Sequence, residues 1–536
     1  MKKQSTTKGM AILSIAGILV KLLSLLYVPF LISIIDTDGF GVYNNTYAVF
    51  TWVYAMTNIG MQPAIAKLVA ELDESGNPRD ALKAFKISRT LLFIVGTTAT
   101  IVLMIFAQPI SSATQNPRAV LSLITLAPTI AVTSILVSYR GYFQGKNIIG
   151  PIGVSQVIEQ FANVAISLAF AYVLMKVSLE AGVAGATVGT SVGALIAIIY
   201  MIYIYNSRKL FRIPKGAQTA ERRYSTKYLV KKVIKYGMPI TLSAGIQNFG
   251  TVIDATNVRT RLAFAGFSMK NIDKLAGYLG QYQNLAYVPL VFIVAIATIV
   301  LPDISRAIIN KNKEAVREKI GFAFKLGFII TIPSAVGLAV LGESIYKLLY
   351  FKDIFGFKLL IYGSFISVLM GVVQLQTTIL QSLNKFYVVI YTLVAGLGVK
   401  IFLNYILIAN PDINIYGAII GGYAGYLFTF LLNSIILRKT IRRKISYSSL
   451  FIGPAIASSI MGLVVFLVNK YTLLILGGTN PSRVIYGIAT LLSVIAGMLI
   501  YGYALILIGV IKKDEVQNMS PRLYNKIPTF VKNRMR

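Results

Sequence analysis

Long apolar runs recur along the whole chain, separated by short polar segments. A helix needs about 20 apolar residues to cross a ~30 Å hydrocarbon core. About fourteen runs meet that length, at approximate positions 10–35, 42–66, 87–107, 118–139, 152–175, 182–205, 237–262, 277–300, 320–342, 356–380, 387–408, 414–437, 448–468 and 484–511. The pattern therefore predicts an all-α polytopic membrane protein. The first run, 'AILSIAGILVKLLSLLYVPFLISII' (Ala11 to Ile35), is broken by one charge, Lys21. Entered near Met10, the span places Lys21 about 16 Å deep, close to the membrane midplane. A charge there costs roughly 2.5–3.5 kcal/mol on insertion scales, so something in this protein requires a cation at that depth.

Composition agrees with the pattern. Of 536 residues 56% are hydrophobic and only 13% charged, against about 25% charged in soluble domains. The start, 'MKKQSTTKGM', precedes an apolar run without a small-residue cleavage site and reads as leading into a retained first span. Cysteine and histidine are absent, which removes disulfides, thiolate chemistry, imidazole bases and the usual zinc, haem and iron–sulfur sites.

The net charge of +33 is distributed by topology. Between spans six and seven lie Arg208, Lys209, Arg212, Lys215, Arg222, Arg223, Lys227, Lys231, Lys232 and Lys235. Between spans twelve and thirteen lie Arg438, Lys439, Arg442, Arg443 and Lys444, and more cations follow Lys512; the first opposite loop holds only Asp36 and Asp38. The positive-inside rule puts both termini in the cytoplasm of a multi-pass cell-membrane protein. The basic excess then meets anionic membrane lipids rather than nucleic acid.

An internal repeat sets the domain organisation. 'GVYNN' (Gly41 to Asn45) matches 'GQYQN' (Gly280 to Asn284), and 'PAIAK' (Pro63 to Lys67) matches 'PDISR' (Pro302 to Arg306), both offset by 239 residues. 'FQGKN' (Phe143 to Asn147) pairs with 'LQSLNK' (Leu380 to Lys385), 'EQFAN' (Glu159 to Asn163) with 'KIFLN' (Lys400 to Asn404), and 'GATVGTSVG' (Gly185 to Gly193) with 'GAIIGGYAG' (Gly417 to Gly425). Five matches in one order predict two pseudo-symmetric six-helix lobes, 1–206 and 237–447. A basic cytoplasmic linker, 207–236, joins them; two extra helices, 448–511, and a basic tail, 512–536, follow. Parallel repeats of this kind place a transporter's substrate site between the halves, near the midplane.

The deep ionisable residues are few: Lys21, Glu159, Asp254 and Lys400, with Arg259 and Arg261 toward the outer end of span seven. Such groups face a bundle interior or a wet cavity. Two readings of Lys21 stand: an ion pair with Glu159 or Asp254, or a cavity that receives an anion. Glu159 suits a basic partner, Asp254 can neutralise Arg259 or Arg261, and Lys400 suits pairing and substrate contact equally. No carboxylate pair beside a nucleophile and no phosphate-cradling glycine loop appears, so a transporter rather than an enzyme is expected, without cofactor or metal.

Three segments carry a resemblance: 'GFGVYNNTYAVFTWVYAMTNIGMQPAIAKLVAE' (Gly39 to Glu71), 'SYRGYFQGKNIIGPIGVSQVIEQFANV' (Ser138 to Val164) and 'GYLGQYQNLAYVPLVFIVAIATIVLPDISRAI' (Gly277 to Ile308). The chain resembles, over nearly its whole length, the polysaccharide-transporter branch of the multidrug/oligosaccharidyl-lipid/polysaccharide exporter superfamily. It is most similar to its stage V sporulation protein B-like, YtgP-like and MurJ-type lipid II flippase members. That resemblance implies two six-helix lobes plus two C-terminal helices. It also implies a cargo, an undecaprenyl-pyrophosphate-linked saccharide such as lipid II of peptidoglycan synthesis, moved outward by alternating access, with a coupling ion as a further partner. MurJ-type proteins use basic residues of spans one, two and eight; Lys21 carries over, Lys67 at the cytoplasmic end of span two is a second candidate, and span eight has only Gln281, Gln283 and Asn284. The alternatives are a cation-coupled multidrug exporter of the same superfamily and an exporter of another lipid-linked polysaccharide unit. A major-facilitator transporter would carry a 'GxxxD-R' loop where this chain has 'ELDESGNPRDALKAFK' (Glu71 to Lys86).

The charge bias makes a topological prediction. A reporter fused after Lys215 or Lys439 will be cytoplasmic, and one inserted at Asp36–Gly39 external. An external reporter after Lys215 would overturn both the span assignment and the repeat.

Overall fold

The computed structural model describes residues 6–210, 212, 223–309, 312–383, 385–441, 445–478 and 481–511. Lys215, Arg222, Asn384, Arg442, Arg443, Lys444 and the tail from Lys512 lie outside the described residues, as do the side chains of Pro302, Asp303, Ser305 and Arg306. Every regular element among the described residues is helical, and each of the fourteen apolar runs falls on helix. Among the described residues, ten helices are long and apolar enough to cross a membrane. Two bent pairs, Met269–Ala286 with Val288–Ala297 (42°) and Phe357–Gly363 with Ile366–Ser382 (50°), raise that to twelve. The remaining two runs are accounted for. Ile15–Glu74 counts once although its 60 residues extend ~90 Å, enough to cross twice. The Thr226–Phe264 helix holds the seventh run but is more polar than the ten.

The first two spans are joined by one residue instead of a loop. The helix Thr6–Tyr54 is interrupted only at Asp36, with φ 56° and ψ −179°, a left-handed φ that costs a non-glycine residue roughly 1–2 kcal/mol. Tyr27 and Tyr43 stand 16 residues apart, ~24 Å along a straight axis, yet their ring centroids are 6.3 Å apart. The chain therefore folds back at Asp36. Tyr27 then donates to the Ala186 carbonyl (3.0 Å), and Tyr47 meets Thr190 at 2.5 Å, so both arms seat on the Leu179–Ser207 helix.

Packing divides the chain into two compact units, Met1–Gly277 and Tyr278–Arg536. The first has a core around Leu68, Phe85, Phe143, Met201, Leu229 and Val233. The second is built on Ile293, Phe324, Phe328, Leu375 and Leu380. In the second unit the last two helices, Tyr447–Gly477 and Arg483–Leu507, lean on Lys313–Leu349. Ser344 donates to Asn469 (2.9 Å), Tyr501 donates to the Ile329 carbonyl (2.8 Å), and Gly462 meets Val336.

The repeat is legible in the packing of each unit. In the first, the Glu159–Asn163 segment lies against Gly189 and Gly193: a Cβ on Gly189 would sit 2.3 Å from the Asn163 carbonyl oxygen, and one on Gly193 2.6 Å from that of Glu159. In the second, Gly421 faces the Asn404 side chain (2.1 Å) and Gly425 faces Lys400 (2.9 Å). Matched motifs thus touch matched motifs. Small residues allow this close backbone approach in the absence of a hydrophobic drive between helices in lipid.

The neighbours differ in one respect that can be measured. Gly189→Ala would press on backbone, which cannot yield, whereas Gly421→Ala would press on the movable Asn404 amide. Overpacking of this kind costs about 1–3 kcal/mol. Gly189→Ala will therefore lower the thermal unfolding midpoint of the detergent-solubilised protein more than Gly421→Ala. Gly398→Ala, with nothing within 4 Å, will leave it unchanged.

Candidate functional site

The expected site residues do not form one cluster of bonds; Lys21, Lys67, Glu159, Asp254, Arg259 and Arg261 are spread along the first unit, and Lys400 lies in the second. Lys21 is exposed on the Thr6–Tyr54 helix, flanked by exposed Leu19, Leu22 and Leu26. It makes no ion pair or hydrogen bond among the described residues.

Glu159 is held by a residue the sequence reading did not weigh. Arg140, buried, donates Nη2 to Glu159 Oε2 at 2.7 Å and Nε to Ser155 Oγ at 3.0 Å. The predicted fourth span ended at 139, but the helix runs on from Pro128 to Gly145, which keeps Arg140 inside the packed bundle. The signal was the lone arginine in 'SYRGYF', one residue beyond an apolar run. One turn from Glu159, Asn163 accepts from Ser167 (3.0 Å) and Thr190 (3.3 Å), which continues the polar seam from Tyr47.

Arg259 is 1% exposed and lies in an ionic cluster at the end of the first unit where the Asp36 break sits. It pairs with Asp273, and its Nε donates to the Gln115 carbonyl at 2.8 Å. Arg118 bridges Asp273 (3.3 Å) and Glu180 (3.5 Å). Asn116 reaches the Val42 carbonyl (3.3 Å) and Asn45 (3.2 Å), the asparagine of 'GVYNN'. Two glycines let the Met269–Ala286 helix approach this closely: a Cβ on Gly41 would lie 1.9 Å from the Asp273 carbonyl, and one on Gly277 2.0 Å from that of Thr37. Asp273 lies in the short segment between the predicted seventh and eighth spans, and Arg118 at the first residue of the fourth, where a charge reads as a membrane-surface residue. Asp254, one turn before Val258, is buried, and Arg261 stacks on the Phe264 ring at 4.2 Å.

Lys67 sits at the opposite end. It lies over the Tyr236 ring at 4.4 Å, and Tyr236 donates to Glu71 (2.9 Å), which pairs with Lys232 (2.6 Å). Lys400 belongs to the second unit, half-buried, its Cβ against Gly425. The first unit thus holds paired charges at both ends, while Lys21 has no ion pair among the described residues.

Together the fourteen helical runs, the twofold repeat of packing motifs and the charge inside the first span define a multi-pass membrane protein of the two-lobed transporter class. The chain belongs to the polysaccharide biosynthesis protein family, which it matches over residues 6–308. It is 24% identical to stage V sporulation protein B of Bacillus subtilis (strain 168), covering 97% of this chain and 98% of the relative. It is also 24% identical to the lipid II flippase MurJ of the same organism, covering 86% and 88%. Among solved structures, an inward-facing multidrug resistance MATE family transporter superposes with TM-score 0.66 at 14% identity, covering 80% of this chain and 99% of that one. Lipid II flippase MurJ in an inward closed conformation gives 0.64 at 16%, covering 92% and 98%.

The Arg259–Asp273 pair is open to a direct test. Arg259→Gln leaves Asp273, whose side chain is 2% exposed, with Arg118 as its remaining cation, and removing one partner of a buried pair costs up to about 3–5 kcal/mol. Either Arg259→Gln or Asp273→Asn alone will lower the thermal midpoint in detergent, and the double variant will recover part of the loss. Single variants as stable as the parent would mean that the cluster does not hold these helices.

Proposed function

We propose that this protein carries a lipid-linked saccharide across the cytoplasmic membrane, with the undecaprenyl-pyrophosphate-linked peptidoglycan precursor lipid II as its cargo, moved toward the outer leaflet. The observation that carries the reading is Lys21, a membrane-depth cation without a protein partner among the described residues. A lone lysine at that depth is costly, and a pyrophosphate passing it relieves that cost while losing its own water. The prenyl tail stays in lipid as the head crosses. A membrane potential positive outside favours outward movement of an anion by ~2.3 kcal/mol per charge per 100 mV. Relatives named for sporulation and for lipid II flipping, matched over most of their length, support the cargo class.

The likeness to a multidrug transporter fold raises cation-coupled drug export as a second reading. Two features weigh against it. Of the carboxylates within the spans, Glu159 is bound by Arg140, and the first span offers a lysine where coupling to a cation calls for a carboxylate. The multidrug structure also covers 80% of the chain and the flippase structure 92%, a difference about as large as the last two helices.

Complementation of a flippase-depleted strain, read beside membrane protein level, tests the cargo. Lys21→Arg will retain activity, while Lys21→Gln and Lys21→Glu will lose it at unchanged protein level, because neutralising Lys21 strands no described carboxylate. Full complementation by Lys21→Gln would defeat the cationic site. Drug efflux without complementation by the parent chain would hand the function to the second reading.

A further inference from the structure

The start of the Thr226–Phe264 helix is fixed in place. Tyr224, just before it, is clamped through its backbone: its N–H donates to Asp80 Oδ2 (2.8 Å), and its carbonyl accepts from Lys83 Nζ (3.1 Å). Ser225 Oγ then accepts from the Tyr228 N–H (3.2 Å) and caps the helix. Leu229 and Val233 are fully buried in the core of the first unit.

The opposite face carries Lys227, Lys231 and Lys235, spaced one turn apart, all exposed and without an ion pair among the described residues. Lys232, one position round, is drawn away by Glu71. Further along the same face the exposed residues turn apolar: Met238, Leu242 and Ile246 are 50%, 43% and 44% exposed. At ~100° per residue these six side chains fall within about a third of the helix circumference. One stripe therefore changes from cationic to apolar between Lys235 and Met238, close to the edge of the seventh span at 237.

We propose that this stripe is a lipid-docking surface. Its apolar part lies against acyl chains, and Lys231 and Lys235 bind the phosphates of anionic glycerophospholipids in the leaflet they face. At 1.5 Å per residue Lys235 stands ~3 Å from the hydrocarbon edge, Lys231 ~9 Å and Lys227 ~15 Å. The headgroup layer is ~5–8 Å thick on each side, and attraction to anionic lipid falls off within a Debye length of ~8 Å. The three lysines therefore contribute in the order Lys235, Lys231, Lys227. The clamp at Tyr224 sets their height, so the helix cannot slide to bring Lys227 into contact. This inference rests on the membrane location of the helix alone and is independent of the cargo.

The full chain, free of native cysteine, permits a site-specific test. Ile234→Cys carries a fluorophore in vesicles of equal phosphatidylglycerol and phosphatidylcholine, with bromine on the acyl chains of one lipid or the other. Brominated phosphatidylglycerol will quench more strongly, with a relative association lowered about fivefold per lysine removed, the equivalent of ~1 kcal/mol. Lys231→Gln/Lys235→Gln will bring the two lipids level, Lys227→Gln will have the smallest effect, and 0.5 M salt will weaken the preference. Lys270→Gln, an exposed lysine at the far end of the unit, will leave it unchanged. Equal quenching in the parent chain, a preference that survives the double substitution, or quenching by neither lipid would overturn the proposal. Complementation of a flippase-depleted strain by the parent chain reads the cargo separately.

Discussion

A charge inside a bilayer has no water to solvate it, and in the first unit that constraint determines which helices touch. Arg140 lies in the interior only because Glu159 and Ser155 receive its donors. Arg259 is almost fully enclosed because Asp273 and the Gln115 carbonyl face it. Each pair joins helices that follow one another in the chain, and each requires close approach: Gly193 beside Glu159, and Gly41 and Gly277 beside the Asp273 cluster. Where neutralisation is complete the helices are fixed. Lys21 stands outside these networks among the described residues, and the proposed anion site rests on that.

The repeat shows how one packing scheme serves two charge patterns. Glu159 and Lys400 occupy matched positions, each beside the last glycine of its own stripe, and Asn163 matches Asn404 beside Gly189 and Gly421. The glycine contacts survive because backbone geometry depends on side-chain size at the glycine, not on the charge one turn away. The charge could therefore change sign between the halves without a change of fold. The first half spends its carboxylate on Arg140; the second presents a cation.

The termini of the helices divide the labour differently. At one end of the first unit, where the Asp36 break lies, Arg118, Arg259 and Asp273 lock the starts and ends of spans together. At the other, Glu71, Lys232, Tyr236 and Lys67 form a looser group of exposed and half-exposed side chains. Exposed pairs contribute ~0–1 kcal/mol, far less than buried ones lose when broken. The group around Glu71 can therefore rearrange more cheaply than the Arg259 cluster.

The apolar periodicity determined the helical class and where the helices fall, because hydrocarbon thickness imposes one length on any helix that crosses it. Motif order determined the repeat, and depth within an apolar run was enough to mark Lys21. The sequence could not say that spans one and two turn at Asp36 alone, since a left-handed residue leaves no mark in hydropathy. Nor could it match Glu159 to Arg140, or Arg259 to Asp273 rather than Asp254. Those choices depend on which helix faces which, and a hydrophobic pattern that is apolar on every side carries no facing information. Only tertiary packing, where glycines admit a neighbour and bulkier residues refuse it, decided which charges were satisfied.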